Sequence, residues 1–234
     1  MEATVVPALG RPIDFLDIRP IRGVGAMGAL RGVTRALAVM PAALRLLDKE
    51  RPQVVFSVGG YAAGPVTLAG WMRGIPTALL EPNSGMGLAN LCVAQIVDRA
   101  YTAFAEVEHH FSPHLVRRTG VPLRAGFKPS PIVEHAGPMR ILVLGGSQGA
   151  AALNELVPQV IHDLPKPVEV VHQCGEKHVD KVRVAYGERQ ASHARVVPFL
   201  EDMPSAISWA DLVISRSGAS AVSEICAIGR PSIL

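Results

Sequence analysis

A chain of 234 residues is long enough for one large or two ordinary domains, each able to bury a core without disulfides or a structural metal. With 49% hydrophobic and 18% charged residues and a mean hydropathy of +0.27, it cannot be disordered, collagen-like or fibrous. The formal net charge is +3, with 14 Lys and Arg against 10 Asp and Glu before Pro138 and 9 against 10 from there on; beside 5% aromatic residues this weak excess argues against nucleic acid and suits an anionic surface.

In chain order, Ile13–Ile18 reads as a weak strand, Leu30–Lys49 as a helix, Val54–Val58 as a strand and Val66–Arg73 as a helix. Thr77–Leu80 and Tyr101–Phe104 follow as strands around a helix at Leu88–Ile96. After residues 128–138, crowded with Pro129, Pro131, Gly137 and Pro138, come strands at Ile141–Leu144, Val168–His172, Val196–Phe199, Leu212–Ile214 and Ser232–Leu234. Helices at Ala151–Asp163, Val179–Gln190 and Ala221–Ile228 separate them. Alternating buried strands and helices predict an α/β protein with two parallel sheets. The expected domains are 1–127 and 139–234, joined by a linker at 128–138. The first half shows no confident opening strand, turn and helix, and Pro231–Leu234 stop inside a strand, so the chain is expected to lack material at each end.

Arg31, Arg35, Arg73 and Pro76 interrupt the longest apolar stretches, so neither reads as a membrane span. No basic segment precedes an apolar run at the start, and a cytosolic protein is expected. Cys92, Cys174 and Cys226 lie far from metal-ligand spacing. His109, His110 and His114 form no metal site in this reading, because adjacent His side chains are expected to point apart and no carboxylate completes a set.

Ile141–Leu144 followed by Gly145-Gly146-Ser147-Gln148-Gly149-Ala150 and a helix places a glycine loop at a strand's carboxyl end. Backbone N–H groups and the helix dipole can hold a diphosphate there. A tight turn without a ligand would need the same glycines. A second loop, Gly59-Gly60-Tyr61-Ala62-Ala63-Gly64-Pro65, follows Val54–Val58, and the pair suggests a ligand cleft between domains. Arg216-Ser217-Gly218-Ala219 comes after Leu212–Ile214. Glu224, further along the next helix, could accept from both hydroxyls of a ribose or simply stabilise its own helix. Leu30, Val33, Leu37, Met40 and Leu44 recur at helical spacing, with Val39, Ala43, Leu46 and Leu47 as a second apolar face and a basic rim. Such a helix is either buried or rests on a membrane.

Gly59–Pro65, Gly145–Ala150, Asn154, Arg216–Ala219 and Ser223-Glu224-Ile225 together resemble the MurG family of bacterial transferases over roughly Ile18 to Leu234. Members add N-acetylglucosamine to the lipid-linked muramyl-pentapeptide of the cell wall. The resemblance implies two Rossmann-like domains of the GT-B type and an inverting reaction that needs neither metal nor cofactor. Its donor is UDP-N-acetylglucosamine, and its place is the cytoplasmic face of the inner membrane, held peripherally on anionic lipid. Carried over, Gly146, Ser147, Gln148 and Asn154 fall at the diphosphate loop, Leu200 beside the uracil, Arg216, Ser217 and Gly218 along the donor, and Glu224 on the ribose. Gly60, Tyr61, Asn83 and Asn90 fall on the acceptor side. Arg124, in Thr119-Gly120-Val121-Pro122-Leu123-Arg124, would neutralise the departing UDP, and Glu81 is the ionisable group left to act as base. Leu30, Leu37, Met40 and Trp71 would form the membrane patch.

Departures from the family pattern are Leu80 and Pro82 in place of His and Gln, Val121 in place of Asn and Ala63 in place of Ser. The family's His-bearing glycine loop and paired Gln segment find no counterpart in this sequence. Donor binding without transfer is therefore the expectation for the chain as it stands. A UDP-sugar-binding module without turnover, or a GT-B transferase with another acceptor, is the alternative.

Overall fold

The computed structural model describes residues 2–16, 26–60, 62–146, 148–188 and 193–234. Two compact units divide it, Met1–Gly120 and Val121–Leu234.

In the first unit a short helix α1 (Glu2–Ala8) precedes a long helix α2 (Ala26–Glu50). Residues 11–16 have no regular structure and 17–18 lie outside the described residues, so the expected strand at Ile13–Ile18 is not found. Strands β1 (Val55–Ser57), β2 (Thr77–Glu81), β3 (Arg99–Thr102) and β4 (Val116–Arg118) then form a parallel sheet in that order, with α3 (Ala63–Met72) and α4 (Leu88–Val93) as crossovers. All five residues of β2 are buried, as an inner parallel strand requires. The β4 segment escaped the sequence reading because Arg117 and Arg118 break its apolar run; it is an edge strand, where charge is tolerated.

Met40, Ala43 and Leu47 of α2 pack with Val55 and Ala69. Their spacing of three and four residues puts them on one stripe of the helix. Gly70 lets α3 approach β1: a Cβ there would stand 2.9 Å from Val55 Cγ2. On the other side Leu79, Val93, Ala94, Val97, Ala100 and Phe111 form a second cluster.

The second unit builds a parallel sheet from β5 (Met139–Leu144), β6 (Val168–Gln173), β7 (Ala194–Val197), β8 (Leu212–Ser215) and β9 (Ser232–Ile233), in the spatial order β7-β6-β5-β8-β9. Helices α5 (Ala151–Asp163), α6 (Val179–Glu188), α7 (Met203–Trp209) and α8 (Ala219–Ile228) connect them. The order runs outward in both directions from the first strand, the doubly wound arrangement, so it reverses between β5 and β8. Leu142 and Leu144 bury on one face with Ile207, Val213, Ile225 and Ile228. Ile141 and Val143 bury on the other with Val157, Val170 and Val182. This alternation along β5 makes it the spine of two cores. Helix α7, which the sequence reading passed over, starts at Asp202, whose carboxylate accepts from Ser205 N at 3.1 Å.

Residues 128–138, expected as the linker, are fastened to the second unit. Ser130 N donates to Ile228 O at 3.0 Å. Arg230 is buried and donates to Ser208 O at 2.6 Å and to Ser130 Oγ and Pro131 O at 3.3 Å each. A buried guanidinium needs partners for its donors, and the proline-rich segment supplies acceptors for the two terminal nitrogens. His135 Nε2 adds a 2.9 Å contact to Asp211.

Candidate functional site

Two loops meet where the order of the second sheet reverses, the place at which an open α/β sheet leaves a crevice outside its strand ends. One joins β5 to α5 at Gly145–Ala150 and the other joins β8 to α8 at Arg216–Gly218. Arg216 bridges them, its Nη2 donating to Gly145 O at 3.0 Å. The glycines are structural necessities. Gly149 has φ +77°, and a Cβ on it would collide with Cys174 O; a Cβ on Gly145 would stand 2.7 Å from Gln173 O. Gly175, φ +83°, packs equally closely on Gln148 and Gly149. The loop is thus pressed onto the turn after β6. Among the described residues no side chain caps α5 at Ala150 or α8 at Gly218, so first-turn N–H groups of both helices remain open to an anion.

Arg124 and Glu224 meet beside these loops, Nη2 to Oε1 at 3.5 Å. The Arg124 side chain is 67% exposed and Glu224 only 17%. Burial raises the Glu224 carboxyl above its ordinary value, against the opposing pull of Arg124. The guanidinium also lies 5.6 Å from the Phe127 ring centroid, so an apolar shelf backs it. Gln148, Arg216, Ser217 and Gly218 are exposed. Ser147 lies outside the described residues.

Two residues expected at the donor have side chains engaged within the fold. Leu200 is buried in the core with Leu142 and Ile207, so its side chain is not offered to a ligand. Asn154 is buried with both polar atoms engaged: Nδ2 donates to Cys174 O at 3.0 Å and Oδ1 lies 3.1 Å from His172 Nε2. It supports the loop from below because an amide one turn into α5 points at the adjacent strand.

In the first unit Glu81, the last residue of β2, gathers the segment that follows it around its carboxylate. Its carboxylate is 1% exposed. Oε1 accepts from Asn83 N at 3.1 Å and Asn83 Nδ2 at 3.0 Å; Oε2 accepts from Gly87 N at 3.1 Å and Asn90 Nδ2 at 3.0 Å. Four donors fill the four lone-pair positions, leaving no oxygen for an incoming hydroxyl. Glu81 is a loop organiser, and the base role expected of it is withdrawn. Asn90, also buried, donates to Leu80 O at 3.2 Å and accepts from Ser57 Oγ at 3.3 Å, so it too is framework. Asn83 and Gly60 are exposed, and Tyr61 lies outside the described residues.

Of the expected membrane patch, Met40 belongs to the core with Ala43 and Leu47, which removes it from any outer surface. Trp71 is 52% exposed. The side chains of Leu30 and Leu37 lie outside the described residues, and no described helix is long and apolar enough to cross a membrane. His109 and His110 do not point apart. In their 3-10 turn the ring centroids are 3.9 Å from each other, although no third ligand joins them among the described residues.

Residues 1–102 match the glycosyltransferase family 28 N-terminal domain and residues 140–234 the glycosyltransferase family 28 C-terminal domain. The chain belongs to glycosyltransferase family 28. A relative from Sorangium cellulosum, named UDP-N-acetylglucosamine--N-acetylmuramyl-(pentapeptide) pyrophosphoryl-undecaprenol N-acetylglucosamine transferase, is 48% identical over all of this chain and 59% of its own length. One of the same name from Aeromonas hydrophila is 41% identical, with 64% of its length matched. The crystal structure of Acinetobacter baumannii MurG superposes with a TM-score of 0.70 at 32% identity, over 96% of this chain and 62% of that one. The chain therefore spans about three fifths of the proteins it matches, and its two parallel-sheet units are of the GT-B type.

The sequence reading missed the layer beneath the family 28 loop. His172 on β6 and Tyr186 on α6 are buried and continue the contacts of Asn154. A histidine ending an apolar strand run two residues before Cys174-Gly175 was the available signal.

Proposed function

We propose that the protein is an inverting transferase that moves N-acetylglucosamine from UDP-N-acetylglucosamine to a lipid-linked muramyl-pentapeptide, with the second unit as donor site. The observation that carries this is the meeting of the Gly145–Ala150 loop, Arg216, Arg124 and Glu224 where the strand order reverses. The diphosphate lies against the loop and the uncapped N-terminus of α5, where N–H groups and the helix dipole favour negative charge. The ribose hydroxyls take Glu224, which has acceptor capacity and is half-buried. Donor binding then displaces Arg124 from its long contact with Glu224. The freed guanidinium, 67% exposed, turns to the diphosphate and offsets the charge that grows on UDP as the glycosidic bond breaks.

A peripheral seat on anionic lipid suits a lipid-linked acceptor. Trp71 and Met72, exposed at the end of α3, are two adjacent apolar side chains that suit it. Calorimetric titration with UDP, UDP-N-acetylglucosamine and dTDP, followed by a radiolabelled transfer assay, tests the reading. Selective binding of the uridine ligands is expected of this chain, and label in the lipid fraction only of a form that also supplies a base for the acceptor hydroxyl. Equal affinity for dTDP, or no saturable binding of any of the three, would overturn it.

A further inference from the structure

Beneath the glycine loop four groups stand in line: Tyr186 Oη, His172, Asn154 and the Cys174 carbonyl. Tyr186 Oη lies 3.0 Å from His172 Nδ1, His172 Nε2 lies 3.1 Å from Asn154 Oδ1, and Asn154 Nδ2 lies 3.0 Å from Cys174 O. Each proton in this line can be placed by elimination. A backbone carbonyl only accepts, so the Asn154 NH2 faces Cys174 and its Oδ1 faces the imidazole. That oxygen also only accepts, so His172 carries its proton on Nε2. Nδ1 is then bare and accepts from the Tyr186 hydroxyl. The line runs one way from α6 through β6 and α5 to the turn on which Gly149 rests, since a Cβ on Gly149 would strike Cys174 O.

We propose that His172, in its Nε2–H form, is a positioning residue that sets the height of the Cys174 carbonyl and through it the diphosphate-binding conformation of Gln148-Gly149-Ala150. No member of the line faces the ligand. His172 and Tyr186 are 0% and 2% exposed, so they act only through Asn154 and the turn. Burial keeps the imidazole neutral at physiological pH, its pKa lowered to about 4, which is what a one-way line needs: a second ring proton would turn Tyr186 Oη from donor to acceptor and reverse that end of the line. The inference rests on the diphosphate reading of this loop and adds a dependence on groups behind it.

The test uses the full chain with UDP and uridine as probes. His172→Gln can keep a donor near the Nε2 position, whereas His172→Asn reaches only as far as Nδ1. UDP affinity should fall about tenfold in His172→Asn, the scale of one lost hydrogen bond, and return to within about threefold in His172→Gln. Uridine affinity should stay level in both, because the ribose side does not touch the line. Should His172→Asn fail to fold, the 15N spectrum of the unaltered protein decides: a bare Nδ1 and a protonated Nε2 on His172 are expected, and the opposite tautomer contradicts the inference. Undiminished UDP affinity in folded His172→Asn also overturns it while leaving the diphosphate reading intact. Absence of UDP binding in the unaltered chain removes both.

Discussion

Two carboxylates that the sequence offers as site residues, Glu81 at the end of β2 and Glu224 within α8, have opposite fates. Glu81 has donors on every lone pair, so Glu81→Gln must turn an amide NH2 towards N–H donors already in place. The cost should be about 1–3 kcal/mol of stability, read as a lower midpoint in chemical denaturation. A catalytic base would instead leave the midpoint unchanged and lower turnover. Among the described residues Glu224 has a single long contact, to Arg124, and burial raises its pKa. Glu224→Ala should leave the fold intact and weaken UDP binding by about 1–3 kcal/mol, as loss of a charged hydrogen-bond partner does; unchanged affinity would reduce it to a helix residue. His172 gives a pH signature. Its folded pKa of about 4 lies below the ordinary 6.5, so between these values the unfolded chain binds more protons than the folded one. Stability is therefore complete above about pH 6.5 and falls as pH drops towards 4, by an amount on the order of 3 kcal/mol. His172→Gln should flatten that part of the urea-midpoint profile.

At the scale of elements, the β5–α5 turn is set by contact with the turn after β6. Gly149→Ala forces a side chain into a left-handed conformation against Cys174 O and should destabilise by roughly 2 kcal/mol. Gly187→Ala, in α6 with open space around it, should be neutral or stabilise by up to about 1 kcal/mol. Thermal denaturation of the pair distinguishes a packed loop from a merely flexible one. Sheet and helix positions in the second unit were legible because apolar runs alternate cleanly with glycine turns, and the reading of Ala151–Asp163 as a helix matches α5. The misses have physical causes. Edge strand β4 carries two arginines, α7 is a short capped helix without periodicity, and residues 128–138 look like a linker only until Arg230, a hundred positions away, draws their carbonyls in. At the site, loops and charges could be read from residue types, but commitment could not. Asn154, Asn90 and Glu81 have the chemistry of ligand contacts, and only the fold shows their polar atoms already engaged. The surface of α3 carries one more expectation: Trp71→Ser should reduce co-flotation with anionic vesicles without lowering the denaturation midpoint, since that ring is half in solvent.

For the whole molecule, two units have separate cores, and every described residue of the proposed donor site belongs to the second. Leu79→Ala, fully buried in the first unit, should cost about 2–5 kcal/mol of stability. The UDP affinity of the folded chain should nevertheless stay within about twofold, because Leu79 packs in the core of the first unit and the proposed donor site is built from residues of the second. The most direct test of the donor-site assignment is a UDP titration of the 15N-labelled chain followed by NMR. Shifts confined to amides of Gly145–Asn154, Arg216–Glu224 and the Arg124 region, saturating together, are the predicted result. Saturation of amides around Glu81–Asn90 with the Gly145 loop unmoved would contradict it.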